Sequence, residues 1–377
     1  MIEGTKKIAF LTGTRADFGK IKSLIHVLEN DENFEPFVFV TGMHLMELYG
    51  YTLIEIERCN FSNVQSYKNH TSEASMDLTL AKTIEGFSKY VKENQPDLII
   101  VHGDRLEAMA GAIVGALNNI LVAHIEGGEL SGTIDELIRH SVSKLSHIHY
   151  VSNESAKKRL IQMGEIEDSI KVIGSPDIDI MFSKKLPTIQ EVKRYYEVTF
   201  DNYALAMFHP VTTEFNKMEV YVQNFVDALL EDDKNYVIIF PNNDLGSEKI
   251  INAYKKLENN SRFRIFPSVR FEYFLVLLKN SSFIVGNSSA GIREAPYYGV
   301  PTINIGSRQE NRSLHAHIIN VPYEKDSIFK ALKFKHELIE KDHETFGVGN
   351  SSQLFLESLL DESIWALNTQ KNFVDIH

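Results

Sequence analysis

The chain has 377 residues, of which 51 are Asp or Glu and 39 Lys or Arg, for a formal net charge of −12. With 43% hydrophobic and 24% charged residues its usage is that of a globular protein, which excludes wholesale disorder, and at ~150 residues per domain the length implies two or three domains. The acidic balance argues against a non-specific nucleic-acid or anionic-lipid binder, and the single cysteine, Cys59, excludes an intrachain disulfide and a multi-cysteine zinc site.

The N-terminal stretch MIEGTKKIAF lacks an apolar signal core, and the longest small-and-apolar run, Ala108–Leu117, is too short to span a bilayer, so a soluble cytoplasmic protein is expected. Near-continuous apolar runs predict parallel strands covered on both faces at Lys7–Thr14, Phe37–Thr41, Asp97–Asp104, Leu121–Glu126, His147–Ser152 and Lys171–Gly174. The spacers, such as Lys20–Asn30 and Leu106–Leu117, carry helical periodicity. After a polar stretch around Ser183–Asp201 the same alternation returns, with strands at Tyr203–His209, Tyr236–Pro241, Phe263–Phe266, Ser282–Gly286, Thr302–Ile305 and Ile318–Val321. Strand–helix alternation of this kind predicts α/β doubly wound sheets. The predicted organisation is one domain over residues 1–185, a second over 186–350, and a helical tail over 351–377 that begins with Gln353–Leu360 and continues from Ser363 onward.

Ligands of open α/β sheets bind beyond the carboxyl ends of the strands, so with two halves the expected site is the cleft between them. The first strand ends in Thr12-Gly13-Thr14-Arg15-Ala16-Asp17-Phe18-Gly19-Lys20. Five residues separate the glycines and Ile21 follows Lys20, so this is neither a P-loop nor a dinucleotide fingerprint. The turn could still offer backbone N–H groups and Arg15 to an anion, or be a plain strand–helix turn. Asp104, after His102-Gly103, either N-caps the next helix or does proton chemistry. Glu126, between an apolar run and Gly127-Gly128, is expected to be partly desolvated, which would raise its pKa. Thr133 with Glu136 fits a capping box, and Asp135 would lie in the first helical turn. Three carboxylates converging on one sheet edge point to a proton-transfer site.

In the second half, His209 ends a strand, where it either is structural or contacts phosphate or a leaving oxygen. Gly286-Asn287-Ser288-Ser289-Ala290-Gly291-Ile292-Arg293-Glu294 reads as a strand, two hydroxyls and a helix start, an anion cradle with Glu294 one to two turns into the helix and placed for ribose hydroxyls. Arg308 and Arg312 follow another strand end. His147 and His149 share a strand face but lack a third ligand at regular spacing, so no metal is expected.

Taken together, GTRADFGK, HGDRLEA, HIEGGELSGTIDELIRH, FHPVTTE, GNSSAGIREAP and GSRQENR, in this order from Lys7 to Arg312, resemble the hydrolysing UDP-N-acetylglucosamine 2-epimerases. No kinase half follows, so the likeness is to the stand-alone bacterial type that makes N-acetylmannosamine for sialic acid. Relatives in that family act on UDP-2,4-diacetamido-trideoxy sugars for legionaminic acid. The resemblance implies two Rossmann-like domains facing a cleft (GT-B-like), C-terminal helices packing back on the first domain, and a homodimer. It implies a UDP-sugar substrate with no metal and no cofactor, and no nucleic-acid or membrane partner. By position, Asp104, Glu126 and Asp135 match the catalytic carboxylates, and His209 matches a motif His near the diphosphate. Arg15, Gly19, Arg105, Asn242, Val269, Ser288, Ser289, Glu294 and Arg308 match UDP-site positions. The HIEGGELSGTID form sides with the hydrolysing branch. Glu248 stands where a regulatory site of the vertebrate enzyme has Lys, which counts against such regulation here. The implied chemistry is elimination of UDP to a 2-acetamidoglucal, then hydration with inversion at C2. The other classes considered are a GT-B glycosyltransferase, which would need an acceptor, and a sensor, which would bind without turnover.

Overall fold

The computed structural model describes residues 4–70, 75–131, 133–309, 318–334, 340–342 and 344–375. It divides into two compact units, the first comprising Met1–Glu129, Asp135–Ser183 and Glu344–His377, the second Leu130–Ile134 and Lys184–His343.

The first unit holds β1 (Lys6–Thr12), β2 (Phe34–Val40), β3 (Val64–Ser66), β4 (Leu98–His102), β5 (Leu121–Ile125), β6 (Ile148–Val151) and β7 (Ile170–Val172). They form one parallel sheet in the order β3-β2-β1-β4-β5-β6-β7. Its central strands are buried along nearly their whole length, because helices cover both faces and each apolar run has no wet side. Helix Arg15–Glu29 shows why the spacers fold as they do. Thr14 and Asp17 form a reciprocal capping box at its start, and Ile21, Leu24, Ile25 and Leu28 recur on one face, all buried. Each of those side chains contributes ~2 kcal/mol of burial before entropy is counted.

The second unit holds β8 (Ala204–Met207), β9 (Tyr236–Ile239), β10 (Phe263–Phe266), β11 (Ile284–Gly286), β12 (Thr302–Ile305) and β13 (Ile318–Val321), parallel, in the order β10-β9-β8-β11-β12-β13. Counted within each unit, the order is third-second-first-fourth-fifth-sixth in both, with a seventh strand added at the end of the first sheet. The strand order therefore reverses between β1 and β4 and again between β8 and β11, and these are the switch points where doubly wound sheets bind ligands.

Three features depart from the sequence reading. The strand β3 is a mostly exposed three-residue edge, with no apolar run to announce it. The helical tail stops early: among the described residues helix Ser351–Leu360 is followed only by Glu362–Trp365, and Asn368 then folds its side chain onto the Gln370 amide as a turn. The first unit also takes in the tail from Glu344 rather than from 351. There Ser175 N donates to Phe346 O at 2.6 Å, and Gly347 lies against Gly174 so closely that a Cβ on Gly174 would come within 3.0 Å of it. Asp179 caps helix Ser351–Leu360 by accepting from the Ser351 and Ser352 amides, and Phe355 packs on Phe10 and Tyr150. Among the described residues no helix is long and apolar enough to cross a membrane.

Candidate functional site

In the first unit the turn after β1 is built around Asp17. Its carboxylate accepts from Gly13 N at 2.9 Å, from Thr14 N at 3.1 Å and from the Thr12 hydroxyl. The backbone amides expected to be open to an anion are thus already taken by a side chain of the same helix. What the turn presents is Arg15, the first residue of helix Arg15–Glu29, with Gly19 one turn later on the same face. Glu107 is buried beside this turn, and a Cβ on Gly13 or Gly42 would come within 2.6 Å or 2.5 Å of it.

The strands β4 and β5 are neighbours, with His102 opposite Ile125, so Asp104 and Glu126 leave the sheet side by side. Gly103 has φ +74°, a left-handed turn that costs glycine little, and it sends Asp104 upward. Asp104 does not cap the next helix: Arg105 occupies the cap position of Leu106–Leu117, and Asp104 pairs with Arg139. Arg105 has its Nε 3.5 Å from Glu107. Glu126 is 4% exposed and itself adopts φ +63°, a conformation disfavoured for a residue with a Cβ. Its carboxylate is not left alone by desolvation. Lys20 Nζ lies 3.3 Å away, His102 Nε2 3.3 Å away, and the Ser175 hydroxyl donates to it. Lys20 also reaches Asp177 at 3.5 Å.

Arg139 ties the pair together. Arg139 is 2% exposed, and its guanidinium donates to the Glu126 carbonyl at 2.8 Å, pairs with Asp104 and lies 3.7 Å from Glu129. Asp135 is in the first turn of helix Ile134–Leu145, four residues before Arg139 and so on the same face. Of these groups Asp104 is the more open, its side chain 24% exposed against 5% for Glu126.

In the second unit Gly286 closes the switch point. Its φ is +134°, and a Cβ there would sit 1.9 Å from Met207 O, so only glycine lets β8 and β11 meet. Asn287 then bridges the two strand ends, accepting from His209 N at 2.6 Å and donating to His209 O at 2.9 Å. Asn242 N donates to His209 Nδ1 at 3.2 Å. A ring nitrogen that accepts carries no proton, so in the neutral ring Nε2 holds the hydrogen. Arg308 and Gln309 converge on the Asn287 carbonyl at 3.2 and 3.0 Å. Ser288 accepts from Ala290 N and starts a 3-10 turn, Ser289–Gly291. The single helix expected there is two short pieces: Glu294 opens a second one, Glu294–Tyr298, because Pro296 has no N–H and fits only a first turn. Glu294 is buried, and so is Val269 after β10. Arg312 lies outside the described residues.

His147 and His149 are held by structural partners: His147 Nδ1 accepts from Val122 N, and His149 Nε2 lies 3.0 Å from Glu165. Among the described residues no three His, Cys, Asp or Glu side chains are grouped to hold a metal. Sequence reasoning passed over Lys20, His102, Arg139, Ser175, Asn287 and Gln309. Only Arg139 carried a signal, its spacing of four from Asp135.

A family model described as UDP-N-acetylglucosamine 2-epimerase matches residues 26–360. The chain belongs to this family. Over 377 residues it is 48% identical to the UDP-N-acetylglucosamine 2-epimerase of Neisseria meningitidis serogroup B, covering 99% of this chain and 100% of that one. It is 34% identical over 332 residues to the UDP-N,N'-diacetylbacillosamine 2-epimerase (hydrolyzing) of Legionella pneumophila, covering 87% and 88%. A solved structure of the Methanocaldococcus jannaschii UDP-GlcNAc 2-epimerase, in complex with UDP-GlcNAc and UDP, matches with a TM-score of 0.81 at 24% identity, over 94% of this chain and 99% of that one. That likeness shows the fold of this chain as GT-B-like, with one parallel α/β sheet in each of its two units.

Proposed function

We propose that the chain is a hydrolysing UDP-N-acetylglucosamine 2-epimerase, converting UDP-N-acetylglucosamine and water to N-acetylmannosamine and UDP. The observation that carries the reading is the coupling of Asp104 and Glu126, at adjoining strand ends, through one buried guanidinium. The C2 hydrogen of an N-acetyl sugar is weakly acidic, so its removal needs a held carboxylate and a leaving group that departs together with it. In the first step a carboxylate takes the C2 proton, the C1–O bond breaks, and its electron pair leaves on the UDP β-phosphate, giving a 2-acetamidoglucal. Water then adds its hydroxyl to C1 and gives its remaining proton to a carboxylate, while a carboxylic acid returns a proton to the other face of C2. Asp104, the more open, faces the sugar, and Glu126 shares protons within the set. Arg139, which holds the Asp104 carboxylate and the Glu126 carbonyl, fixes the two residues relative to each other. Asp135, one turn from Arg139, tunes the pair.

The departing diphosphate needs fixed positive potential. Arg15, the His209 Nε2–H, Ser288, Ser289 and Arg308 supply it, with Gly19, Arg105, Asn242, Val269 and Glu294 completing the UDP positions. The hydrolysing outcome is supported by the HIEGGELSGTID segment after β5 and by the relative whose name carries that word. The same relative favours a second substrate, a UDP-2,4-diacetamido sugar, which a side-by-side assay of the two nucleotide sugars separates. Asp104→Asn and Glu126→Gln are each expected to lose ~10²-fold or more in turnover while UDP affinity, read by calorimetry, stays put. Near-normal product formation by either variant would overturn the assignment.

A further inference from the structure

Among the described residues no helix follows Trp365, yet this segment is fastened to the first unit at several points. His147 Nδ1 is an acceptor, so its Nε2 donates, to Thr369 O at 3.0 Å. Val374 N donates to Gly164 O at 3.1 Å, and Phe373 lies on Gly164 so tightly that a Cβ there would fall 2.5 Å from its ring. Between these anchors the Lys371 ammonium uses all three of its hydrogens: on Ser143 O at 2.9 Å, on Ser146 O and on Glu165.

Ser143 is in the last turn of helix Ile134–Leu145, where carbonyls have no partner within the helix and a cation is favoured. From the same residue a second path runs back to the reacting groups. His124 Nε2 donates to Gly103 O at 2.7 Å, so Nδ1 is the acceptor of the Ser143 hydroxyl at 2.9 Å. Burial pushes His124 down to about 3, so this link is neutral and keeps one tautomer. Gly127 makes room for it, since a Cβ there would lie 2.8 Å from Ser143 Oγ and 2.9 Å from His124 Nδ1. Gly103 is the turn that presents Asp104, and Arg139 of the same helix holds the Asp104 carboxylate.

We infer that Lys371 is a positioning residue: the C-terminal strap fixes the end of helix Ile134–Leu145, and through Ser143 and His124 it sets the Gly103 turn under Asp104. This rests on the assignment of Asp104 to the chemistry. Loss of Lys371 need not unfold the unit. Glu165 would keep Lys144 at 2.8 Å and His149 at 3.0 Å.

The test compares full-length Lys371→Met, Lys371→Arg and Phe373→Ala with the parent. In Lys371→Met, kcat for UDP-N-acetylglucosamine is expected to fall about tenfold with KM within about twofold, and Lys371→Arg to recover most of the loss. Phe373→Ala, which loosens the strap but keeps the ammonium, is expected to give a smaller loss in kcat. In parallel, the hydrogen-bonded Nε2–H resonance of His124, read with nitrogen-15-labelled histidine, should shift in Lys371→Met. That signal needs no turnover, so a parent enzyme that fails to consume the sugar would sink the functional reading and leave the strap to be judged by NMR. An unmoved His124 resonance in a folded Lys371→Met protein, or equal kcat across the variants, would overturn the inference.

Discussion

The switch points of the two units have the same strand order but opposite furniture. At β1/β4, with β5 beside it, the strand ends carry Asp104 and Glu126, Glu107 of the next helix lies buried against the β1 turn, and the cations Lys20 and Arg139 are spent holding carboxylates. At β8/β11 the strand ends carry an amide, an imidazole whose Nδ1 accepts from Asn242 N, and Arg308 with Gln309 gathered on the Asn287 carbonyl. The difference shows that one topology can present different chemistry at the same place. The backbone fixes where the strands end, and the residues just past them set the chemistry, which under the proposed function is proton transfer in the first unit and diphosphate holding in the second.

The largest expected effect concerns the keystone of the acidic side. Arg139→Met leaves Asp104 and Glu129 without their buried cation, and urea unfolding should show a loss of about 3–5 kcal/mol. A variant as stable as the parent would mean that the carboxylates do not depend on it. On the other side, Arg308→Met removes charge-assisted bonding worth about 1.5–3 kcal/mol, so UDP should bind about tenfold more weakly or worse by calorimetry. If turnover collapsed while UDP affinity held, the division of labour between the units would be wrong.

The smallest effect is graded with pH. His44 and His124 are pushed down to about 3 chiefly by burial, and His147 and His149 are lowered for the same reason; all lie in the first unit. A depressed histidine takes up its proton more readily when unfolded. Its contribution is therefore whole above the ordinary value near 6.5 and drains as pH falls from there toward 3. For His124 the slope is at most ~1.4 kcal/mol per pH unit. Glu165 adds to this lower down: burial opposes its charge, but His149, Lys371 and Lys144 hold it down to about 2, so its share is lost only below about 4.5. Peptide-resolved hydrogen exchange between pH 7 and 5 should show β1–β7 losing protection before β8–β13, and the reverse order would contradict this account.

Much of the architecture was legible because buried parallel strands leave near-continuous apolar runs; Phe263–Phe266, Thr302–Ile305 and helix Leu106–Leu117 stand where the runs predict them. The strand β3 was not, since an exposed edge of three residues needs no apolar pattern. At the site, sequence could name the residues that end strands, as with Asp104 and His209. It could not name what surrounds them. Ser175 and Lys20 reach Glu126 from 49 and 106 residues away, and Asn287 reaches His209 from 78, distances at which no spacing rule speaks. The Gly13 turn misled for a related reason: a strand–Gly–helix sequence offers amides, but here Asp17 takes them.

The central claim is that acids of the first unit strip and return hydrogen at C2 while the sugar parts from UDP. It is tested most directly by incubating the protein with UDP-N-acetylglucosamine in D₂O and following the products by proton NMR. The account predicts UDP and free N-acetylmannosamine carrying deuterium at C2. A manno-configured sugar still joined to UDP, or a free sugar that keeps its C2 hydrogen, would contradict it.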